Sequence, residues 1–401
     1  MKPTLSRLCL ALLAAGAAST AQAAVPIDTI GGSEISFEGL VQADGNWFDN
    51  DVQDLNGDGG NGRDSEFELR RAELVLKGKG PGNIDWVVGY DAKADKYLDV
   101  NARYRFAGNG GFLQLGQYKQ PIGLEELSSS RTNDFISKAT VTNTFATSRR
   151  LGVAAGYGNA DWSITGSVFG RELTRNQAHG SGYALRGTWA PVNTDGHVVH
   201  LGLAYASNDT DADTLRLRAR PNADLASARL VDTGTLADTD RIGTLGVEGM
   251  WIRGPFKLQG EYFSVDVDRY GDSGDFSGDG GYVSGLWNLS GETWSYRSGV
   301  PNTASPDTPS RGLWQLGLRY DTLDLDDGRL AAGAPGAGPR VDGVLGGKQD
   351  IWTAGVNWYW RSNFKLALNY VMVDSSRYSS SAGRVVDDNP DILEVRAQFH
   401  W

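Results

Sequence analysis

A run of alternating arginines is the stretch of this sequence best suited to binding anions. Arg216, Arg218 and Arg220 alternate with aliphatic or small residues over positions 215–220. Side chains two residues apart share one face of an extended chain. Three guanidinium groups on one face form a ladder along which an oxyanion passes between bidentate sites. The alternative is a solvated basic edge in a long loop, or one that faces lipopolysaccharide.

Other basic residues could extend this ladder into a path. A lysine or arginine that faces lipid at the middle of a membrane costs about 2 to 4 kcal/mol, so charges in membrane-spanning strands are expected to point into a wet lumen. There they line a path or merely pair with acidic neighbours, and both possibilities stay open. The predicted anion path consists of Arg70, Arg71, Lys119, Arg131, Lys138, Arg150, Arg186, Arg216, Arg218, Arg220 and Arg319.

Residues that would indicate catalysis or metal binding are sparse. The four histidines lack a serine and aspartate setting for hydrolysis. His197 and His200 are three residues apart in a predicted strand, so they point to opposite faces. The segment 54–59 resembles the start of a calcium loop, but its twelfth position is Ser65, and the glutamate is displaced to Glu66. We therefore predict no enzyme activity, no cofactor and no metal site.

The C-terminal nine residues show the pattern of the elements that carry these charges. From Leu393 to Trp401, apolar residues occupy the odd positions and polar residues the even ones. One face therefore suits lipid and the other suits water, and Trp401 is an aromatic of the kind found at membrane interfaces. We interpret this segment as the closing strand of a barrel; the alternative is an ordinary amphipathic strand.

The whole chain repeats this pattern. Its 53 Gly, 12 Trp and 15 Tyr residues and its short alternating runs favour strands and turns. No segment of the mature chain approaches the roughly 20 apolar residues of a spanning helix. Counting the runs predicts an all-β transmembrane antiparallel β-barrel of about sixteen strands, with short periplasmic turns, long outer loops and both termini in the periplasm.

The N-terminus predicts export. Lys2 and Arg7 precede an apolar stretch and a small-x-small cleavage site, so residues 1–23 are expected to be a signal peptide and 24–401 the barrel. Cys9 is the sole cysteine and lies in the removed part. The net charge of -11 disfavours nucleic acid as a partner. The predicted location is the bacterial outer membrane.

Three connections stand out by length: residues 120–148, 207–241 and 291–312. A long insert without secondary structure of its own is usually functional. The third lies where a short periplasmic turn is expected. It therefore either folds into the pore or reveals an error in the strand count.

Several motifs occur in an order that is specific to one family. They are Phe67–Ala72, Gly116–Glu126, Tyr183–Pro191, Leu289–Glu292, Leu318–Tyr320 and Gly355–Tyr359. In these motifs the chain resembles the phosphate-selective porin O and porin P family over nearly its whole mature length. The resemblance implies a homotrimer of sixteen-stranded barrels, with the third loop, the fifth loop and one long periplasmic turn folded inward.

The resemblance also implies roles for single residues. In that family arginines line the path and lysines at the constriction bind the anion. Arg70 and Arg71 match this pattern, as do Arg218 and Arg220, and Arg131 falls where a basic residue is expected.

Three positions depart from the family pattern. Glu126 replaces a constriction lysine, Val87 replaces a lysine and Leu40 replaces an arginine. A carboxylate in a narrow neck repels an anion by several kcal/mol unless it is paired. Glu126 is therefore predicted to oppose anion selectivity.

These observations predict an outer-membrane diffusion channel for small anions such as phosphate, pyrophosphate or polyphosphate. The alternatives are a general, weakly selective porin and a structural or adhesive barrel with a plugged lumen. The expected partners are permeant inorganic anions, outer-membrane lipid, lipopolysaccharide and further copies of the chain. The sequence does not define the preferred ion or the pore radius.

Overall fold

A computed structural model describes residues 25–30, 32–57, 64–106, 108, 110–174, 180–303, 306, 308, 310–332 and 338–401. The predicted signal peptide, 1–23, lies outside these ranges. None of the helices within them is long and apolar enough to cross a membrane.

Sixteen antiparallel strands form the wall of the molecule. They are β1 Ser33–Asp49, β2 Ser65–Lys79, β3 Ile84–Asp91, β4 Lys96–Phe106, β5 Gly111–Lys119, β6 Arg149–Gly158, β7 Trp162–Phe169, β8 Gly182–Thr194, β9 His197–Asp209, β10 Thr239–Arg253, β11 Phe256–Arg269, β12 Phe276–Asn288, β13 Leu313–Ala331, β14 Arg340–Arg361, β15 Phe364–Ser379 and β16 Asp391–His400. Each pairs with its sequence neighbours, and β16 pairs with β1 from His400 opposite Leu40 to Asp391 opposite Asp49. The predicted closed barrel of sixteen strands is therefore confirmed.

The remaining elements are short. Strand Val25–Ile30 pairs with the start of β1, and Arg384–Asp388 pairs with the end of β15. Two helices, α1 Leu124–Leu127 and α2 Thr140–Phe145, lie between β5 and β6. The other short pieces are the strands Thr214–Leu215, Arg218–Ala219, Val231–Asp232, Leu236–Ala237, Ser295–Arg297 and Val300–Asn302 and the 3-10 turns Pro81–Asn83 and Asp211–Asp213.

Alternation of side chains explains the wall. In β16, Glu394 and Arg396 are buried inside the barrel, whereas Leu393 is exposed on the outer face. Strict alternation back from Tyr104 along β4 would put Leu98 on the outer, apolar face, but it does not lie there. The pairing of β3 with β4 shifts register between Val88 and Tyr90, and Leu98 is 4% exposed. A β-bulge adds one residue and so reverses the face of the side chains that follow.

The connection 120–148 contacts side chains of the inner wall. The Lys257 ammonium lies 2.7 Å from the carboxylate of Asp134. Arg396 donates to the carbonyl of Ile136 at 2.7 Å. Because β11 and β16 supply these two contacts, the connection lies across the interior of the barrel.

The other two long connections also contact inner-wall residues. In the connection between β9 and β10, Asn222 donates to the buried Asp321 carboxylate at 2.7 Å. In the connection between β12 and β13, the Tyr296 hydroxyl lies 2.6 Å from Nδ1 of His200, and Trp294 is 2% exposed. The strand count is unaffected by this long turn.

Candidate functional site: a basic passage beside an inserted loop

The lumen has a filled side and an open side. On the filled side, one side chain from each of β11, β13, β14, β15 and β16 donates a hydrogen bond to the connection 120–148. In that order the donors are Lys257, Arg319, Asn357, Lys365 and Arg396. The open side lies along β2–β8 and contains two adjoining cavities of about 640 and 550 Å³. The two cavities share the side chains of Arg103, Arg105, Gln114, Tyr118, Lys119 and Leu127.

Lys119 lies where the two cavities meet. It is the last residue of β5, and the inserted connection begins immediately after it. Its ammonium group donates to the carbonyl oxygens of Glu126 and Ser128, the latter at 2.9 Å. Within the described ranges, no carboxylate lies within ion-pair distance of Lys119. The carbonyls orient the ammonium group without neutralising its charge, and the carboxylate of Glu126 acts on that charge only from beyond ion-pair distance.

Glu126 does not present an unpaired negative charge to the junction of the two cavities. Its side chain is buried, forms an ion pair with Lys138 and accepts a hydrogen bond from Ser148 Oγ at 3.3 Å. Burial raises the pKa of Glu126, but the charges of Lys138 and Lys119 outweigh burial and lower this pKa to about 2. Glu126 is therefore ionised and paired with Lys138 at neutral pH. A paired carboxylate does not repel a passing anion as an unpaired one would.

Glu261 fixes the start of the inserted connection. Its two carboxylate oxygens accept the backbone N–H groups of Leu124 at 2.6 Å and Glu125 at 2.7 Å. Gly123, which precedes them, has φ +81°, a conformation that a residue with a Cβ rarely adopts. The sequence gives no signal for this role of Glu261, because the backbone groups that it binds are far away in the chain.

The outer arginines occupy the surface of the connection between β9 and β10. Arg216 is paired with Asp232, with its Nε 2.7 Å from Oδ1. Arg218 and Arg220 are exposed, and no carboxylate of the described residues lies within ion-pair distance of either. Arg229, which the sequence analysis missed, lies beside them: burial and the charges of Arg220 and Arg218 lower the pKa of Arg229 to about 10. An arginine without an alternating pattern around it gives no signal in the sequence.

Three further predicted path residues are neutralised by acids. Their ion pairs are Arg70 with Asp224 at 2.9 Å, Arg71 with Glu73 at 3.1 Å and Arg131 with Glu38 at 2.8 Å. Arg150 instead donates to the carbonyl of Arg149 at 3.1 Å and has no carboxylate of the described residues within ion-pair distance.

The structure separates the last two predicted residues. Arg186 lines the larger cavity and is paired with Glu248. Arg319 is 1% exposed, lies 3.0 Å from the carboxylate of Asp321 and is absent from the lining of both cavities. Its guanidinium stacks over Phe135 of the inserted connection at 4.7 Å. Arg319 therefore lies on the filled side of the lumen. The open side instead exposes Arg103 and Arg105, which alternate along β4.

Comparison with known proteins identifies the family. The family model described as phosphate-selective porin O and P matches residues 41–401. The chain belongs to this family. Porin O of Pseudomonas aeruginosa is 26% identical over 98% of this chain and 97% of its own length. An uncharacterized protein of Caulobacter vibrioides is 29% identical over 77% of this chain, and the match spans 62% of that protein's length.

Solved structures share the fold. OmpT, an outer membrane protein of Vibrio cholerae, has a TM-score of 0.57 at 11% identity, with 94% of this chain and 99% of that chain covered. An anion-selective porin from Comamonas acidovorans has a TM-score of 0.57 at 11% identity, with 92% and 100% covered. Family and fold together are those of a bacterial outer-membrane channel.

Proposed function

We propose that this channel conducts small inorganic anions, with phosphate among them, along the open side of the lumen. The observation that carries this proposal is the position of Lys119, which stands at the junction of the two cavities without a carboxylate partner. An ammonium group in a constricted, water-filled passage attracts anions and repels cations.

The residues around Lys119 support the same sign of selectivity. Arg103 donates to Gln114 Oε1 at 3.0 Å and lies 4.3 Å from the ring centre of Phe112, and no carboxylate of the described residues pairs with it. Arg105 is paired with Asp85. Of the three basic groups in the shared lining, Lys119 and Arg103 are thus without an ion-pair partner among the described residues, and Arg105 is neutralised by Asp85 of the smaller cavity. The two unpaired groups favour a positive potential at the junction.

The surface of the connection between β9 and β10 supports anion capture. Arg218, Arg220 and Arg229 form a group of like charges on the loop surface, and such a group attracts anions over roughly one Debye length, about 8 Å at about 0.15 M salt. Guanidinium groups bind phosphate and carboxylate oxygens in a bidentate manner. The solved Comamonas porin, which shares this fold, carries the description anion-selective.

The test is the block of chloride current by phosphate in planar bilayers. We expect phosphate to reduce the chloride conductance of the purified protein in a saturable manner, and Lys119→Gln to weaken this block about fourfold through the loss of one charge. Lys348→Gln is the matched control, because Lys348 is exposed, paired with Asp324 and remote from both cavities. Equal block in the two variants would contradict a role for Lys119.

A weakly selective pore is the second candidate, and one observation favours it. Arg70, Arg71 and Arg131 are all paired with carboxylates, so less positive charge is available than the sequence suggested. Chloride current without phosphate block and without ion preference would identify this second function.

We propose that the channel assembles as a homotrimer and that its outer apolar face contacts lipid and lipopolysaccharide. The wall supports this, because β3 and β7 have 8 residues each whereas β14 has 22. A tilted strand needs about 9 to 11 residues to span a bilayer, and β3 and β7 are shorter than that. We therefore expect a second copy of the chain to pack against this side of the barrel. Native mass spectrometry in detergent should give three times the chain mass; a monomer would contradict trimerisation.

A further inference from the structure

Asp224, in the connection between β9 and β10, forms an ion pair with Arg70 of the barrel wall. Asp224 Oδ2 accepts a hydrogen bond from Arg70 Nε at 3.0 Å and lies 2.9 Å from Arg70 Nη2. The same oxygen lies 3.9 Å from Arg396 Nη2. The side chains of Arg70 and Asp224 are 28% and 20% exposed, so both are partly open to solvent.

The backbone holds this carboxylate in place from both sides. Asn222, two residues before it, donates to Asp321 on the inner wall at 2.7 Å. Ala223 and Ala226 are buried in an apolar cluster. Ser227, three residues after it, donates its backbone N–H to the carbonyl of Leu55 at 2.7 Å. Asp224 is thus presented by a fixed segment.

Asp224 contacts the guanidinium of Arg70 in the way that a bound oxyanion would. The Nε and Nη groups of a guanidinium form a fork that fits the oxygens of carboxylate or phosphate. In this pair, one carboxylate oxygen accepts a hydrogen bond from Nε of Arg70 and lies within ion-pair distance of Nη2, while Oδ1 receives no hydrogen bond from any described residue. A phosphate oxygen in the same position would make the same contacts.

We propose that Asp224 is a built-in competitor that occupies the anion position at Arg70 and thereby limits how tightly the channel holds oxyanions. This inference rests on the proposed function, because it presumes that anions pass along the basic wall. It assigns to Asp224 a role in specificity and makes Arg70 a binding group that the resting channel keeps occupied.

The surroundings distinguish Arg70 from the neighbouring arginine. Arg396 has its own bidentate partner in Asp44, with contacts of 2.7 and 2.6 Å. Arg70 has Asp224 as its sole carboxylate within ion-pair distance among the described residues. Burial raises the pKa of Asp224, but Arg70 and Arg396 lower this pKa below its ordinary value, so the carboxylate is ionised at neutral pH. Removal of the charge at position 224 therefore leaves Arg70 without a counterion.

The experiment compares Asp224→Asn with the neutralised acid of an ion pair outside the predicted path. Asp224→Asn keeps an oxygen that accepts from Arg70 but removes the charge. Asp342→Asn makes the same change in total charge at the exposed ion pair with Arg329. We expect Asp224→Asn to lower the phosphate concentration that halves the chloride current by about fivefold, equivalent to about 1 kcal/mol. Asp342→Asn should change it by less than about twofold.

Two further variants separate competition from a structural role. Asp224→Glu restores the charge and should return the block to the wild-type range. Adding Arg70→Gln to Asp224→Asn should abolish the gain, because the freed guanidinium is then absent. If Asp224→Asn loses its β-strand circular dichroism, Asp224→Ser takes its place in the same comparison.

The outcomes separate this inference from the function on which it rests. Block of the wild type by phosphate, with Asp224→Asn equal to Asp342→Asn, would overturn the role of Asp224 alone. No block in the wild type or in any variant would overturn both. Block that appears only after Asp224→Asn would support competition in its strongest form.

Discussion

The charge balance at Lys119 leads to the sharpest prediction of the structure. Lys119, Lys138 and Glu126 together carry one net positive charge. Glu126→Gln raises this to two, Lys138→Met lowers it to zero, and the double variant restores one. The four proteins thus form a cycle in which charge changes while the wall of the passage is retained.

The magnitude follows from the geometry and from Coulomb's law. The pKa of Glu126 falls from an ordinary 4.5 to about 2, which corresponds to about 3 kcal/mol in favour of the charged form. An anion about 8 Å from one extra charge gains about 2 kcal/mol at an effective dielectric constant of about 20, and screening over one Debye length reduces this to about 0.8 kcal/mol. That energy raises the permeability to an anion about fourfold and lowers that to a cation by the same factor, so the ratio of the two changes about sixteenfold.

The assay is the zero-current potential in a planar bilayer under a potassium chloride gradient. Glu126→Gln should increase the ratio of anion to cation permeability about sixteenfold, and Lys138→Met should decrease it by a similar factor. The double variant should return close to the wild type. If Lys138→Met leaves the ratio unchanged, the pairing of Glu126 with Lys138 does not control ion selectivity at the junction of the two cavities, and the reasoning fails.

Three other predictions concern the arginines of the connection between β9 and β10, the stability of the barrel and its dependence on pH. Replacing Arg218 and Arg220 together by glutamine should lower anion preference, because both are exposed and unpaired with any described carboxylate; an unchanged zero-current potential would exclude them from the path. Arg396→Gln should destabilise the barrel by about 3 to 5 kcal/mol in urea-induced unfolding, because it leaves the buried carboxylate of Asp44 without a partner; a loss below about 1 kcal/mol would show that Asp44 finds another partner. The folded-state pKa of Glu126 is lowered, so its contribution to stability is complete above its ordinary pKa of 4.5 and is lost as the pH falls towards about 2. Wild type and Glu126→Gln should therefore differ in stability at pH 6 and converge near pH 2, and a constant difference would contradict this assignment.

The sequence predicts the wall because one physical rule governs it. Each strand must alternate between lipid and lumen, and β16 shows this pattern directly. The rule fails at Leu98, where a bulge adds a residue to one strand only. A bulge depends on how two neighbouring strands pair, and a single alternating run contains no record of that pairing.

The sequence predicts the candidate site less completely because charge compensation depends on tertiary contacts. Arg70 and Asp224 are 154 positions apart, and Glu126 and Lys138 are 12 positions apart in a mostly irregular connection. Alternation indicates that a charge points inward. It does not indicate which acid lies opposite or, as Arg319 shows, which side of the lumen an inserted connection fills.

The zero-current potential of the wild-type protein under a salt gradient tests the central claim most directly. The open side of the lumen, with Lys119 at the junction of its two cavities, predicts a potential of the sign given by anion-selective conduction. A potential of the opposite sign, reporting preferential passage of cations, would contradict the account.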